Sequence, residues 1–499
     1  MGRTVLLGLD GFHIDLLQFT PSIKDLYEAN PSAELESTIP PVTAPAWAAF
    51  QTGKNQGKHG IFDFVTYSQD FSVTLVDGRS LDSITVYEIL SAAGYSCYLQ
   101  NLPFSYPPRI DGDIMPSWLD GDDTSPQPPN LAKRFDVGKP RYPALEGTDL
   151  DAIYEMGETF EHNKEIFLSV LGEEEHDFLF HLVSTTDWLQ HTAYEELVKA
   201  PDSEVAEAAK RLLTKVDDYV GQVVNELNDR DDLVLLSDHG FRLFNDSFFV
   251  NDWLAETGYL TQSRDGLAFG DKSEMIQNKE EINVGILGQW LRQHPVLLQS
   301  AKPIKRLLEH VTGKEVKAEA GIDISESVAY CQSKDDASIR ISEEVDDKEA
   351  LKREIETRLS NIDGITPYRG SEVYNGSHVD MGGDIILTSD KYKIARGPRG
   401  EVYPGNSVAY HSQNGLLVGI GPSFQESPDE PHLMDIAPTL LHQYDLTIPN
   451  DIDGRVLTEW IENEQKPSFC PPDRYTSSFK TIEKSDDSVE GRLENLGYL

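Results

Sequence analysis

Along most of this chain, short apolar runs alternate with segments of helical period. Thr4 to Leu9, Tyr95 to Leu99, Phe178 to Val183, Leu233 to Ser237, Asp384 to Leu387 and Leu416 to Ile420 are compact and largely apolar, the mark of buried strands. Between them the spacing predicts helices over Pro45–Gln51, Leu81–Ala93, Asp202–Asn228 and Met434–Tyr444. The Asp202–Asn228 segment carries an apolar stripe at Val205, Ala209, Leu212, Leu213, Val216 and Val220. In the last helix Asp435 falls in the first turn, where a negative charge suits the helix dipole. This alternation predicts an α/β fold, with a mostly parallel central sheet and helices on both faces.

Two stretches break the rhythm. Residues 102–143 are rich in Pro, Gly and Asp (Pro107-Pro108, Gly121-Asp122-Asp123, Pro128-Pro129), and an ordered loop of that length is expected to cover a site. Residues 261–366 hold polar helical pieces at Asn283 to Gln293, Ile304 to Val311 and Lys348 to Leu359, which flank the apolar runs Val328 to Cys331 and Ser338 to Ile341. They read as an inserted α+β cap region over the strand ends. That leaves residues 1–260 and 367–462 as the core and 463–499 as a polar C-terminal tail.

Composition narrows the partners. The 499 residues include 85 acidic and 43 basic ones, a net charge of -42 at pH 7, spread along the whole chain. Such a surface disfavours nucleic-acid duplexes and anionic membranes, which both demand basic residues. Diffuse acidity of this size fits a halophilic protein, because concentrated salt screens the self-repulsion. Cys97, Cys331 and Cys470 have no metal-ligand spacing, so neither a disulfide framework nor a zinc knuckle is expected. The N-terminal apolar run ends at Asp10, too soon for a signal peptide, and no run has the length to span a bilayer. A cytoplasmic location is the expectation.

Candidate chemistry gathers in six short segments at or near the predicted strand ends. Asp10-Gly11 closes the first strand, so the carboxylate projects from the edge where open α/β sheets place their ligands. Thr43 heads a helix, where free N–H groups and the dipole favour an alkoxide or a phosphate. Asp187 and His191, four apart after Phe178 to Val183, share one helical face, as a chelating pair needs. Asp238-His239-Gly240 follows Leu233 to Ser237, and His411 precedes the strand that runs into Gly419-Ile420-Gly421-Pro422. Singly, each has a plain structural reading: a turn at Asp10, a helix N-cap at Thr43, a surface ion pair at Asp187 and His191, a turn with a core histidine at Asp238-His239, a loop histidine at His411. Together they are three carboxylates and three imidazoles, an N/O set suited to two divalent cations, zinc or manganese, clamping a phosphoryl group. Gly53-Lys54-Asn55-Gln56-Gly57-Lys58-His59 is not a P-loop, since its glycines are wrongly spaced and His59 replaces the Ser or Thr.

These residues, with Ser37 to Trp47, Thr52 to Ile61, Val234 to Phe241, Asn414 to Pro422 and Asp435 to Leu441, resemble the alkaline phosphatase superfamily, in its type I phosphodiesterase/nucleotide pyrophosphatase branch. The resemblance covers residues 3–260 and 327–462. It implies an alkaline phosphatase-like fold and hydrolysis of a small-molecule phosphoric ester, through a phosphothreonine on Thr43 and two metal ions. By the same resemblance Asp10, Thr43, Asp238 and His239 would hold one ion, and Asp187, His191 and His411 the other; His378 is the alternative to His411. Characterised nucleotide pyrophosphatases carry an Asn three residues past the nucleophile. Ala46 stands there in this chain, followed by Trp47, which shifts oxyanion binding onto the cations and the backbone N–H groups near Thr43 and Ala44. The alternatives are a phosphonate hydrolase, a phosphomonoesterase of the same superfamily, and a non-catalytic binding scaffold. A sulfatase is excluded, since Thr43-Ala44-Pro45-Ala46-Trp47 lacks the required Cys and Arg.

Overall fold

The structure, a computed structural model, describes residues 2–67, 73–121, 124–145, 147–173, 175–262, 322–333, 338–463, 465–476 and 493. The strands that frame the site begin with β1 (Thr4–Leu9), β2 (Ser32–Glu36), β3 (Cys97–Gln100), β4 (Asp113–Met115), β5 (Phe178–Val183) and β6 (Asp232–Leu236). Then come β7 (Gly240–Phe244), β8 (Ala329–Cys331), β9 (Ile339–Ile341), β10 (Thr366–Arg369), β11 (Ile385–Thr388), β12 (Val408–Ser412) and β13 (Asn414–Ile420).

Seven of these form the central sheet in the order β2-β13-β6-β1-β5-β3-β4. From β6 to β4 every neighbour is parallel; β13 runs antiparallel to both β6 and β2. Because successive side chains leave a strand on opposite faces, an unbroken apolar run signals burial on both. Val5, Leu7 and Leu9 enter one apolar layer with Leu233, Leu235, Leu416 and Val418, while Leu6, Val234, Leu236 and Leu417 enter the other. The helices Asp149–Gly172, Thr185–Lys199 and Glu204–Glu226 cover the first face. The helices Thr43–Thr52, Val86–Ala92 and Ile436–Gln443 cover the second.

The helix Thr43–Thr52 is buried at all ten positions. Its four alanines and Pro45 make that possible: small side chains let it lie close to the sheet, and Pro lacks an N–H only where the first turn has no use for one. Gly53 ends it in the left-handed conformation. Trp47 projects from the helix onto β1 at Gly8, where a Cβ would come within 2.6 Å of the indole, so only glycine fits the contact.

Two sequence expectations change. Residues 102–143 add the edge strand β4 and bury Ile114, Met115, Trp118 and Leu119, because these side chains gain more from the sheet than from a lid over the site. The strand expected at Asp384 to Leu387 forms as β11, but it lies in a separate antiparallel sheet of order β8-β9-β11-β10, with the helix Lys348–Ser360 against β10. The helices expected at Asn283 to Gln293 and Ile304 to Val311 fall outside the described residues. In addition, the helix Asp149–Gly172 starts at a capping box between Thr148 and Asp151 and had no counterpart among the expected elements.

Trp47→Ala is expected to cost about 3–5 kcal/mol in equilibrium urea unfolding, the usual range for emptying a large aromatic site. A loss below about 1 kcal/mol would show that the indole does not hold the helix on β1.

Candidate metal centre at the strand ends

The site is built where β1, β5 and β6 stop side by side. Asp10 follows Leu9, and Gly11 takes a φ of +65° that turns the chain across the sheet edge. A Cβ on Gly11 would lie 3.1 Å from Asp187 Oδ1, so glycine serves both the turn and the close approach. The Gly11 N–H donates to Asp238 Oδ1 at 3.2 Å, tying the first turn to the loop after β6. Asp187 and His191 occupy the first two turns of the helix that leaves β5, with Asp187 Oδ1 3.5 Å from His191 Nε2. His411 comes from β12, which pairs with β7 so that His411 lies opposite Phe241.

Thr43 is the first helical residue, not the cap. Val42 holds the N-cap position without a side-chain bond, and the Thr43 hydroxyl instead lies 3.0 Å from His239 Nε2. His239 Nδ1 faces the Gly240 carbonyl at 3.0 Å, and a carbonyl can only accept. Nδ1 therefore carries the ring proton and Nε2 presents its lone pair to the Thr43 O–H. The same logic orients His411, whose Nδ1 donates to the Pro41 carbonyl at 3.1 Å.

All seven residues singled out in the sequence are brought together. His411 Nε2 is 2.9 Å from His191 Nε2 and 3.3 Å from Asp187 Oδ1. His239 Nε2 is 3.3 Å from Asp238 Oδ2 and 3.8 Å from Asp10 Oδ1, and its ring stacks on His411 at 3.9 Å between centroids. His378 is elsewhere: it pairs with Asp82 at 2.8 Å beside Gly60. Ala46, placed by the resemblance near the oxyanion, packs into the apolar layer with Trp47 and Phe50.

Burial sets the charge states. Desolvation raises Asp10 well above the usual carboxylate range, with Asp238 and Asp187 adding to the effect. Desolvation likewise pushes Asp238 up to about 8, and the Asp187 charge adds to it. The imidazoles of His191, His239 and His411 are each lowered to about 3, burial again being the main cause. Neutral imidazoles are the form that binds a metal.

The donor set fits divalent cations. Asp10, Asp238 and His239 offer one group of ligand atoms within 4.8 Å of one another, and Asp187, His239 and His411 a second, with His191 against His411. Among the described residues, Asp10 Oδ1 and Asp238 Oδ2 are buried without a hydrogen-bond donor, which is costly unless a cation meets them. Mixed carboxylate and imidazole donors suit zinc or manganese. A groove of about 960 Å³ leads from His411 to the surface between Pro40-Pro41-Val42, Phe241 and Tyr410.

Sequence reading missed the residues that hold the ligands in place. Gln190 donates to the Gly11 and Thr186 carbonyls at 2.8 and 3.1 Å and accepts from His13 Nε2 at 3.0 Å, so one amide ties the Asp10 turn to the helix carrying Asp187 and His191. Thr186 Oγ1 donates to the Asp10 carbonyl at 2.6 Å. Their only signal in the sequence is proximity to Asp187 and His191.

The sequence profile of the type I phosphodiesterase/nucleotide pyrophosphatase family matches residues 4–390. No curated protein sequence matches the chain. Among solved structures, phosphonoacetate hydrolase from Sinorhizobium meliloti 1021, in complex with phosphonoformate, aligns with a TM-score of 0.55 at 15% identity, over 87% of this chain and 94% of that one. The alkaline phosphatase PafA aligns at 0.52 and 14% identity, over 93% and 100%. Human ectonucleotide pyrophosphatase/phosphodiesterase 5 aligns at 0.50 and 14% identity, over 92% and 100%. At these identities the likeness is one of fold, a mostly parallel α/β sheet of the alkaline phosphatase type.

Asp238 supplies a pH test. Its folded-state pKa of about 8 lies above the roughly 3.9 of an unfolded Asp, so its contribution to stability is present at low pH and lost as pH rises through about 8. In chelator, the melting temperature is expected to fall between about pH 5 and 8.5, and to fall less in Asp238→Asn. Excess zinc or manganese at the upper pH should restore the parent more than the variant. Equal pH slopes for the two proteins would show that Asp238 is not the group responsible.

Proposed function

The chain belongs to the type I phosphodiesterase/nucleotide pyrophosphatase family, and we propose that it hydrolyses phosphodiester or pyrophosphate bonds through a phosphothreonine on Thr43. The observation that carries this reading is the Thr43 hydroxyl itself, 3.0 Å from His239 Nε2 at the head of a buried helix and beside both groups of ligand atoms. The family supports a phosphoester hydrolase. The finer reading rests on geometry. The groove of about 960 Å³ beside these residues has room for the substituents of a diester or a pyrophosphate.

In this reading Asp10, Thr43, Asp238 and His239 would hold one divalent ion, and Asp187, His191 and His411 the other. Bound there, the ions supply Lewis acidity, lowering the pKa of the hydroxyl and drawing charge from the phosphoryl oxygens. The Thr43 hydroxyl gives up its proton to water and Oγ attacks phosphorus in line; an Oγ–P bond forms as the bond to the leaving oxygen breaks, and that oxygen takes up a proton from water. The N–H groups of Thr43 and Ala44, which head the helix without intrahelical partners, face the developing negative charge. Water then attacks the same phosphorus, the Oγ–P bond breaks, Thr43 Oγ takes up the proton that the water loses, and the remaining phosphate ester departs. Pro41 and Gly240, through their carbonyls, hold His411 and His239 in the tautomer whose Nε2 carries the lone pair.

The acidic surface belongs to the same proposal: a protein at -42 is read as working in the cytoplasm of a salt-rich cell. Among the described residues no helix is long and apolar enough to cross a membrane.

Thr43→Ala is expected to lower turnover of a chromogenic phosphodiester by at least about 10³-fold while the protein still binds zinc, measured by metal analysis after gel filtration. Parent-like turnover by this variant would reduce Thr43 to a structural residue. A parent that binds metal yet hydrolyses no phosphodiester, pyrophosphate, monoester or phosphonate would favour a binding scaffold. Salt gives a further check: the melting temperature should rise from about 0.1 M to about 2 M KCl, as screening shortens the Debye length from about 10 Å to a few.

A further inference from the structure

The groove that opens onto His411 has a charge pattern that composition does not explain. Basic residues are outnumbered 43 to 85 in the chain, yet Arg242 and Lys393 both face this groove. They are not equivalent. Arg242 meets Asp390 at 3.4 Å on the solvent side, where the Asp390 side chain is fully exposed. Lys393 is half-buried on the short strand Tyr392–Ala395, and its Nζ lies 3.4 Å from the centroid of the Tyr410 ring. That ring stacks on His411, with centroids 4.5 Å apart and planes 17° from parallel, and meets His191 edge-on at 5.3 Å. Ammonium, phenol and imidazole therefore form one stack that ends on the ligand cluster. The carboxylates that line the groove, Asp15, Glu34, Glu36 and Asp390, are all solvent-exposed.

We propose that this groove holds the part of the ester beyond the scissile phosphorus, and that Lys393, carried on Tyr410, is a specificity-determining residue for substrates in which that part bears its own anionic group, a phosphate or a carboxylate. The proposal rests on the reading of Thr43 and its neighbours as a phosphoric ester hydrolase. Every anionic ester is repelled at long range by a surface of -42, so selectivity for one of them has to come from a close contact. Salt that screens the exposed acids acts weakly on a charge shielded by a groove wall, so the attraction to Lys393 survives where the outer repulsion is damped. The stacked ring also limits how far the ammonium can swing, which lowers the entropy lost when it closes on an anion.

The test uses three p-nitrophenyl phosphodiesters whose second substituent is methyl, carboxyethyl or phosphoryloxyethyl, assayed with added zinc or manganese. The parent is expected to favour one or both charged esters over the methyl ester by roughly 10- to 100-fold in kcat/KM, the usual worth of a hydrogen bond to a charged partner. The two charged arms separate phosphate from carboxylate recognition. Lys393→Met should abolish the preference, mainly through KM, while changing the methyl ester less than about threefold, and Lys393→Arg should restore part of it. Metal-loaded melting temperatures close to the parent's are required of both variants. Equal turnover of all three esters by the parent overturns this proposal alone, as does an equal loss on all three in Lys393→Met. Failure of the parent on all three diesters overturns the phosphodiesterase reading and this proposal with it.

Discussion

Three carboxylates held in a buried volume a few ångströms across repel one another, and the rest of the site is arranged around that cost. Asp10, Asp187 and Asp238 are each at most 2% exposed, and each of Asp10 and Asp238 is pushed towards its protonated form by burial and by its neighbours. A divalent cation reverses the sign of that interaction, turning mutual repulsion into shared attraction. Only a stiff frame can hold the groups against repulsion. Adjacent parallel strands provide it: β1 pairs with β5 at Leu9 and Val183, and with β6 at Gly8 and Leu236, so the three strands stop on nearly one level. Burial on both faces by apolar layers keeps that level fixed.

Hydrogen bonds to backbone carbonyls give the imidazoles of the site their direction. The carbonyls of Gly240 and Pro41 each take an imidazole N–H, which fixes the tautomers of His239 and His411. Pro41 lies two residues before Thr43, so the segment that leads into Thr43 also orients His411 from β12. Gln190 and Thr186 do the same for the Asp10 turn. Displacing one strand end would therefore disturb Thr43 and both candidate groups of ligand atoms together.

Local pattern revealed the interior well and the margins poorly. β1 and β5 were legible residue for residue, because strands buried on both faces are apolar throughout. The edge strand β2, Ser-Ala-Glu-Leu-Glu, was not, since only Leu35 is buried and edges favour charge. β4 was hidden in a Pro-rich stretch that reads as loop until its apolar side chains find the sheet. β11 was recognised as a strand, but nothing in its sequence says which sheet it joins.

The site divides along the same line. The sequence alone determined the chemistry on offer: Asp and His at strand ends, a Thr at a helix start, and a strongly acidic composition. It left His411 and His378 as rivals, and left Thr43 open between cap and nucleophile. Only the tertiary structure decided where these residues lie, setting His411 against His191 across 220 residues of chain while pairing His378 with Asp82, and placing Thr43 inside the helix, past its cap, with its hydroxyl on His239. The physical reason is range. Residue type and period are local properties, whereas a ligand cluster depends on distances that exist only after distant strands have paired in register.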